Sequence, residues 1–150
     1  MRIDNLLAFE KFFINMANLE EEIKGIDWSI YDGPAYFDSK KVSEVLTTLL
    51  RVDNINETQS IHHRVLSTIG NDHCGTYYPV VLRALDYIIL IEKSAESKVL
   101  QNCARMILND LYYFEPDTDG YPNCTDEELK EFVDLKLNLY SDENVVFNRL

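Results

Sequence analysis

The segment GNDHCGTYYPVVLRALDYIILI, residues 70–91, decides the fold class. Its first half is rich in turn-forming residues, and Pro79 stands where the first turn of a helix tolerates proline. From there to position 91 the chain is apolar on nearly every helical face, apart from Arg83 and Asp86. A helix that is apolar all round belongs inside a pack of other helices. The segment therefore predicts a helix over 79–93 at the centre of an all-α fold.

Helical periodicity extends outward from this segment in both directions, which predicts about six helices in one domain over 1–150. The other predicted helices cover about 4–23, 40–53, 57–69, 95–114 and the stretch from Thr125 to Tyr140. Ser39 and Thr125 are the predicted caps of the second and sixth helices, and Gly70 ends the third. Residues 141–150 are expected to form a short helix or a docked tail. No run alternates long enough to predict a strand.

The chain is strongly acidic, with a formal net charge of −12 from 26 acidic and 14 basic residues. Such a field repels phosphate backbones, so we expect no direct nucleic-acid partner, and it attracts a basic protein. Three widely spaced cysteines without a CxxC pair are typical of a reducing compartment. The amino terminus is predicted to be a helix and not a signal peptide, and no apolar run approaches the ~20 residues that span a bilayer. We therefore expect a soluble cytoplasmic protein with no membrane partner.

Two predicted helices, the second and the fourth, begin about 40 residues apart, each followed by a partner helix, which is typical of HEAT and armadillo solenoids. Residues 70–116 resemble the HEAT-like repeat proteins of bacteria: His73, Gly75, Tyr78 and Pro79 follow a His-x-Gly-x-x-Tyr-Pro pattern that leads into an apolar helix. The resemblance implies a HEAT/armadillo-like stack of about six helices arranged as hairpins. HEAT-like proteins include immunity proteins that bacteria encode beside polymorphic or contact-dependent growth-inhibition toxins, so the resemblance also implies an antitoxin role.

The stretch FEPDTDGYPNCTDEE, residues 114–128, places six carboxylates around one glycine and two prolines. Counted from Glu115, the first, third, fifth and ninth positions (Glu115, Asp117, Asp119 and Asn123) carry side-chain oxygens at the spacing of an EF-hand loop, and Gly120 stands at the sixth. The pattern then fails, because the twelfth position is Asp126 and not a bidentate Glu. Three interpretations stay open for this loop: a calcium site, a contact surface for a basic partner, or a connector between helices. We predict no metal and no cofactor.

Catalytic signatures such as GxSxG, HExxH and the P-loop are missing from the sequence. His62 and His63 are adjacent on a predicted helix, so their side chains diverge by ~100° and do not easily share an ion. His73 stands beside Cys74, but a catalytic dyad needs convergence in space. We predict no catalytic residue and no enzyme activity, and a nucleophilic Cys74 with a distant histidine is the alternative.

Tyrosines beside carboxylates form the predicted contact surface, in the segments DWSIYDGPAYFD (27–38) and NDLYYFEPDTD (109–119). Tyrosine supplies contact area, and carboxylates bind lysine and arginine. The predicted partner-binding residues are Asp32, Tyr36, Asp110, Tyr112, Tyr113, Glu115, Asp117 and Asp119.

The predicted function is that of an immunity protein whose acidic surface masks the active site of a cognate basic toxin, preferably a nuclease such as an RNase. The alternatives are a HEAT-like adaptor or scaffold without a toxin partner, and a calcium-binding loop protein.

Overall fold

The computed structural model describes residues 18–31 and 33–144. This part of the chain is mostly helical, as the sequence predicted. Its helices are α1 over 18–25, α2 (Lys40–Leu50), α3 (Thr58–Ile69), α4 (Val81–Ser94), α5 (Lys98–Tyr113) and α6 (Asp126–Leu137). Single 3-10 turns stand at Trp28–Ile30, Ile55–Glu57 and Asn138–Tyr140. The predicted start of the first helix, Asp32 and the last six positions of the predicted tail lie outside the described residues.

A small three-stranded sheet accompanies the helices. It consists of β1 (Gly70–Asn71), β2 (Thr76–Tyr77) and β3 (Glu115–Pro116), in the order β1-β2-β3. β1 and β2 form an antiparallel hairpin, and β3 pairs with β2 in parallel after the chain has passed through α4 and α5. The sequence did not predict these strands, because a two-residue strand is too short to leave an alternating pattern.

Gly70 ends α3, as predicted, but for a different reason than a helix-terminating glycine usually has. Its φ of −165° is extended backbone that any residue adopts. A Cβ atom at this position would lie 2.1 Å from the Thr76 carbonyl oxygen. Glycine is therefore required because β2 runs too close beside Gly70 in the β1–β2 hairpin to leave room for a side chain.

Of the described helices, α5 has the most helical neighbours (α2, α3, α4 and α6), so α4 is packed inside the fold but is not the single central helix that was predicted. Helix α4 contacts α2, α5 and α6, and its longest run of contacts is with α5. Ala84, Leu85, Ile88 and Ile91 are fully buried along it. The other large packing surfaces join α2 to α3 and α3 to α5, so that the core is continuous from α2 to α6.

One of the two predicted helix caps is present in the structure, and the other is not. The Thr125 hydroxyl accepts a hydrogen bond from the Glu128 amide at 3.2 Å, so Thr125 caps α6 as predicted. Ser39 makes no side-chain cap of α2, and the prediction there is wrong. Asp38 Oδ1 accepts from the Lys40 amide at 3.0 Å instead, because Ser39 already has helical backbone angles.

A buried carboxylate holds the 3-10 turn Asn138–Tyr140 against α4 and α5. Glu92, only 6% exposed, accepts hydrogen bonds from Arg105 Nε and Nη2 at 3.0 and 2.8 Å and from the Tyr140 hydroxyl at 2.9 Å. Burial, and then the hydrogen bond and charge of Glu92, raise the pKa of Tyr140 above its ordinary value. The apolar pattern of α4 did not predict this network.

Candidate partner-binding site

An open groove of about 700 Å³ runs between α6 and the segment in which α5 ends and β3 begins. Its lining carries five carboxylates and a single cationic side chain. We call it the acidic groove. Its lining residues are Tyr112, Glu115, Pro116, Asp126, Glu127, Lys130, Glu131, Asp134, Leu135 and Asn138.

The periodicity of α6 produces one wall of the acidic groove. Leu129, Val133 and Leu137 are fully buried and form the face of α6 that packs against the core. Glu127, Glu131 and Asp134 then fall on a neighbouring face, since residues three or four apart lie above one another on a helix. The acidic first turn of α6 is also favourable there, because the N-terminal end of a helix carries partial positive charge.

The cation in the lining, Lys130, is already engaged. Its ammonium group donates to the carbonyl oxygens of Tyr112 and Phe114 at 3.2 Å each, and it lies 3.2 Å from Asp134 Oδ1. It thus satisfies carbonyls at the C-terminal end of α5 and balances one carboxylate. The other carboxylates of the lining, which are exposed, give the acidic groove its negative potential.

Apolar surface accompanies the charge in the acidic groove. Leu135 is 73% exposed, and the Tyr112 ring stacks edge-on against the ring of Tyr113 with centroids 4.9 Å apart. Lysine and arginine side chains have apolar stems and charged ends, so a surface of this composition is complementary to them.

The predicted partner-binding residues do not share one surface. Tyr112 and Glu115 line the acidic groove. Asp110 lies on α5 with its Oδ2 atom 2.6 Å from Nε2 of His62 on α3. The hydroxyl of Tyr113, which is half exposed, accepts a hydrogen bond from the Asp142 amide at 2.9 Å and so faces the C-terminal segment.

Asp117 and Asp119 lie on the turn after β3 and outside the lining of the acidic groove. Gly120 adopts a φ of +77°, and the Tyr121 amide donates to the Thr118 carbonyl oxygen at 2.8 Å, so Gly120 makes the expected turn. Asp117 Oδ1 accepts from the Asp119 amide at 3.2 Å. Asp126 Oδ1, the last position of the EF-hand-like spacing, accepts from the amide and hydroxyl of Thr118.

The turn thus uses its carboxylates to hold its own backbone. Within residues 18–31 and 33–144, no three histidine, cysteine or acidic side chains are grouped so that they could hold a metal ion.

Tyr36, 87% exposed, lines a second cavity of about 430 Å³ between α2 and α3. At its edge, His63 Nδ1 lies 2.6 Å from Asp72 Oδ2, and His63 Nε2 lies 3.5 Å from the Ser67 hydroxyl. The order of these atoms is that of a serine hydrolase triad, but the second distance is at the outer limit of a hydrogen bond. His63 is also 65% exposed to water. We interpret this cluster as a tie between α3 and the β1–β2 turn.

The carboxylates of α6 in the acidic groove were not among the predicted contact residues. They are Asp126, Glu127, Glu131 and Asp134. The available signal was their three- and four-residue spacing beside the apolar stripe of α6, which places them on one helical face.

The comparisons with known proteins identify no relative of this chain. No protein-family model, no curated protein and no solved structure matches the chain. In the ranges 18–31 and 33–144, none of the helices is both long enough and apolar enough to cross a membrane.

Proposed function

We propose that this chain is a cytoplasmic immunity protein that binds a basic bacterial toxin one to one and covers its active site. The observation that carries the proposal is the acidic groove, in which carboxylates of α6 and β3 stand beside exposed apolar surface with their one lining cation already engaged. Such a surface attracts a basic partner and speeds the encounter, and its apolar part gives contact area once the two are docked.

A nuclease, such as an RNase, is the preferred target. The substrate groove of a nuclease carries lysine and arginine to bind phosphates, so a row of protein carboxylates occupies the same groove in place of the phosphates. The same negative charge disfavours direct binding of nucleic acid by this chain.

We further propose a HEAT-like arrangement for the helices. Two pairs, α2 with α3 and α4 with α5, pack as hairpins, and α3 also packs along α5. Successive hairpins that contact one another through corresponding helices are the unit of an α-solenoid. In this arrangement the acidic groove lies at the α6 end of the stack.

The test is the affinity for the C-terminal domain encoded by the preceding gene, measured by calorimetry at two salt concentrations. We expect 1:1 binding that is nanomolar or tighter and that weakens as salt screens the charges. A binding constant weaker than about ten micromolar would contradict the proposal for that gene product and would favour an adaptor without a toxin partner.

Charge reversal locates the contact. The double variant Glu127→Lys/Glu131→Lys should lose several kcal/mol of affinity, because close charge pairs at interfaces couple by ~1.5–7 kcal/mol. The matched control Glu21→Lys/Glu22→Lys changes the net charge equally on exposed positions of α1 and should keep most of the affinity. A loss confined to Asp117→Lys/Asp119→Lys would place the contact on the turn after β3 instead of the acidic groove.

A further inference from the structure

The cavity of about 430 Å³ between α2 and α3 shares no lining residue with the acidic groove. Its volume is within the range of small-molecule sites, which is about 300–1,000 Å³. Its walls come from the two helices and from the loop that carries Tyr36. A site built on helices holds its side chains in more fixed positions than a site built on loops alone. The cavity is therefore a second place at which this chain can bind a ligand.

The carboxylates in the lining of this cavity already have partners within the chain. Glu44 on α2 lies 3.2 Å from the guanidinium group of Arg64 on α3, so this ion pair joins the two walls. Asp38 Oδ1 accepts a hydrogen bond from the Lys40 amide at 3.0 Å. These contacts fix the walls of the cavity and leave other groups to face a ligand.

The groups that remain in the cavity are hydrogen-bond donors. Lys41 is exposed and has no ion-pair partner among residues 18–31 and 33–144. The hydroxyl of Tyr36, a side chain that is 87% exposed, makes no hydrogen bond within the same ranges. The Ser67 hydroxyl has only the contact of 3.5 Å to His63 Nε2, at the outer limit of a hydrogen bond. The cavity thus presents two hydroxyls and an ammonium charge that no described carboxylate neutralises directly.

These donors select an anionic ligand with several acceptor oxygens. An ammonium group donates three hydrogen bonds and accepts none, and each hydroxyl adds one donor. The donors come from α2, α3 and the loop before α2, which suits a tetrahedral phosphate better than a planar carboxylate. A phosphate monoester carries about −1.5 to −2 charge at pH 7 and three acceptor oxygens. The net charge of −12 opposes such a ligand mainly at low salt, because charges more than ~8 Å away are largely screened at ~0.15 M.

We propose that the cavity between α2 and α3 binds the phosphate group of a small phosphate monoester, with Lys41, Tyr36 and Ser67 as the donors. The organic part of the ligand lies against the Tyr36 ring and Val45, which are the apolar surfaces of the lining. The Arg64–Glu44 ion pair holds the two helices at the spacing that the site needs. This site is separate from the acidic groove, and the inference does not depend on the immunity proposal.

The experiment titrates phenyl phosphate into the whole labelled chain at ~0.15 M sodium chloride and follows the amide NMR shifts. Saturable shifts should appear along α2 and α3 and not along α6. Benzoate and phenol, which carry the same ring with a carboxylate or without charge, should bind more weakly. Lys41→Gln should weaken phenyl phosphate binding by about tenfold or more, because a charge-assisted hydrogen bond is lost. The double variant Tyr36→Phe/Ser67→Ala should also weaken it, because two neutral donors are lost.

The matched control is Lys40→Gln, which removes the same charge from the neighbouring exposed residue, outside the lining of the cavity. It should keep nearly the wild-type affinity, and both lysine variants should keep the wild-type melting temperature because both side chains are exposed. Four results would overturn the inference: no saturable shifts, equal losses from Lys40→Gln and Lys41→Gln, benzoate binding as tight as phenyl phosphate binding, or unchanged binding by the double variant. No toxin enters this experiment, so its outcome is independent of the test of the immunity proposal.

Discussion

At the scale of single residues, the contact between Gly70 and β2 leaves no room for a side chain. Replacing Gly70 by alanine would bring a Cβ atom to 2.1 Å from the Thr76 carbonyl oxygen. The hairpin must shift to relieve that clash, and overpacking of this kind costs about 1–3 kcal/mol. We expect Gly70→Ala to lower the free energy of unfolding by that amount, as measured by urea denaturation.

Gly25→Ala is the matched control, because a Cβ atom there meets nothing within 4 Å. Its free energy of unfolding should stay within about 0.5 kcal/mol of the wild-type value. Equal losses from both substitutions would contradict a steric role for Gly70.

Cysteine reactivity should follow burial. Cys74 is exposed, whereas burial raises the pKa of the Cys103 thiol to about 11. The thiolate is the form that reacts with alkylating agents, so iodoacetamide at neutral pH should modify Cys74 long before Cys103. Peptide mass spectrometry over time measures both rates, and similar rates at the two cysteines would contradict the burial of Cys103.

At the scale of elements, the Glu92 network is one of the ties between Tyr140 and the α4–α5 hairpin. Removing one partner of a buried ion pair destabilises a protein by ~3–5 kcal/mol. Glu92→Ala should therefore reduce the free energy of unfolding by about that much in urea denaturation. Glu96→Ala, at an exposed position between the same two helices, is the control and should change little. A small effect of Glu92→Ala would mean that the C-terminal residues are held by other contacts.

The buried tyrosines predict the response to alkaline pH. Tyr77 and Tyr140 have folded-state pKa values above the ordinary value of ~10, so each stays neutral when folded and ionises when the chain unfolds. Their contribution to stability is complete below pH ~10 and is lost as the pH rises from there towards their folded-state pKa values. The free energy of unfolding should fall above pH ~10 with a slope of up to ~1.4 kcal/mol per pH unit for each tyrosine. Tyr140→Phe should flatten that slope, and an unchanged slope would contradict the burial of this hydroxyl.

The elements that periodicity predicted are those that depend on local pattern. The apolar run after Pro79 predicted a helix inside the fold because an apolar surface is stable only when it is packed against other apolar surface. Thr125 predicted a cap because its hydroxyl accepts a hydrogen bond from an amide in the first turn of the helix that follows. The β2–β3 pairing and the Glu92 network required contacts between segments far apart in the chain. A two-residue strand and a buried ion pair depend on which segments meet, and no local pattern records that.

At the scale of the whole molecule, the net charge of −12 sets how the fold responds to salt. Like charges repel most in the compact state, so screening should stabilise the folded protein. Raising sodium chloride from ~0.01 to ~0.15 M shortens the screening length from ~30 to ~8 Å and should raise the melting temperature. The Glu127→Lys/Glu131→Lys variant carries less negative charge and should respond less. A melting temperature that falls with salt would show that attractive ion pairs dominate over repulsion.

The candidate site shows the same division between local and long-range information. Tyr112 and Glu115 were predicted from tyrosines that neighbour carboxylates in the chain, and both line the acidic groove. Asp110, Tyr113 and Tyr36 share that composition but face other surfaces, because helix rotation and packing decide where each side chain points. The acidic groove exists only because α6 lies beside β3. No local sequence pattern in either segment predicts that contact.

The pairing of β2 with β3 also has a consequence for the order of folding. The Glu115 and Asp117 amides donate to the carbonyl oxygens of Gly75 and Tyr77 at 2.9 and 2.8 Å, across a loop that contains two whole helices. Closing such a loop is entropically costly until α4 and α5 have docked. On a ribosome, β2 therefore emerges long before β3, and the edge of β2 that faces β3 stays unpaired while the α4–α5 hairpin between them is completed. Protection of those two amides from hydrogen exchange would report when β3 has paired with β2.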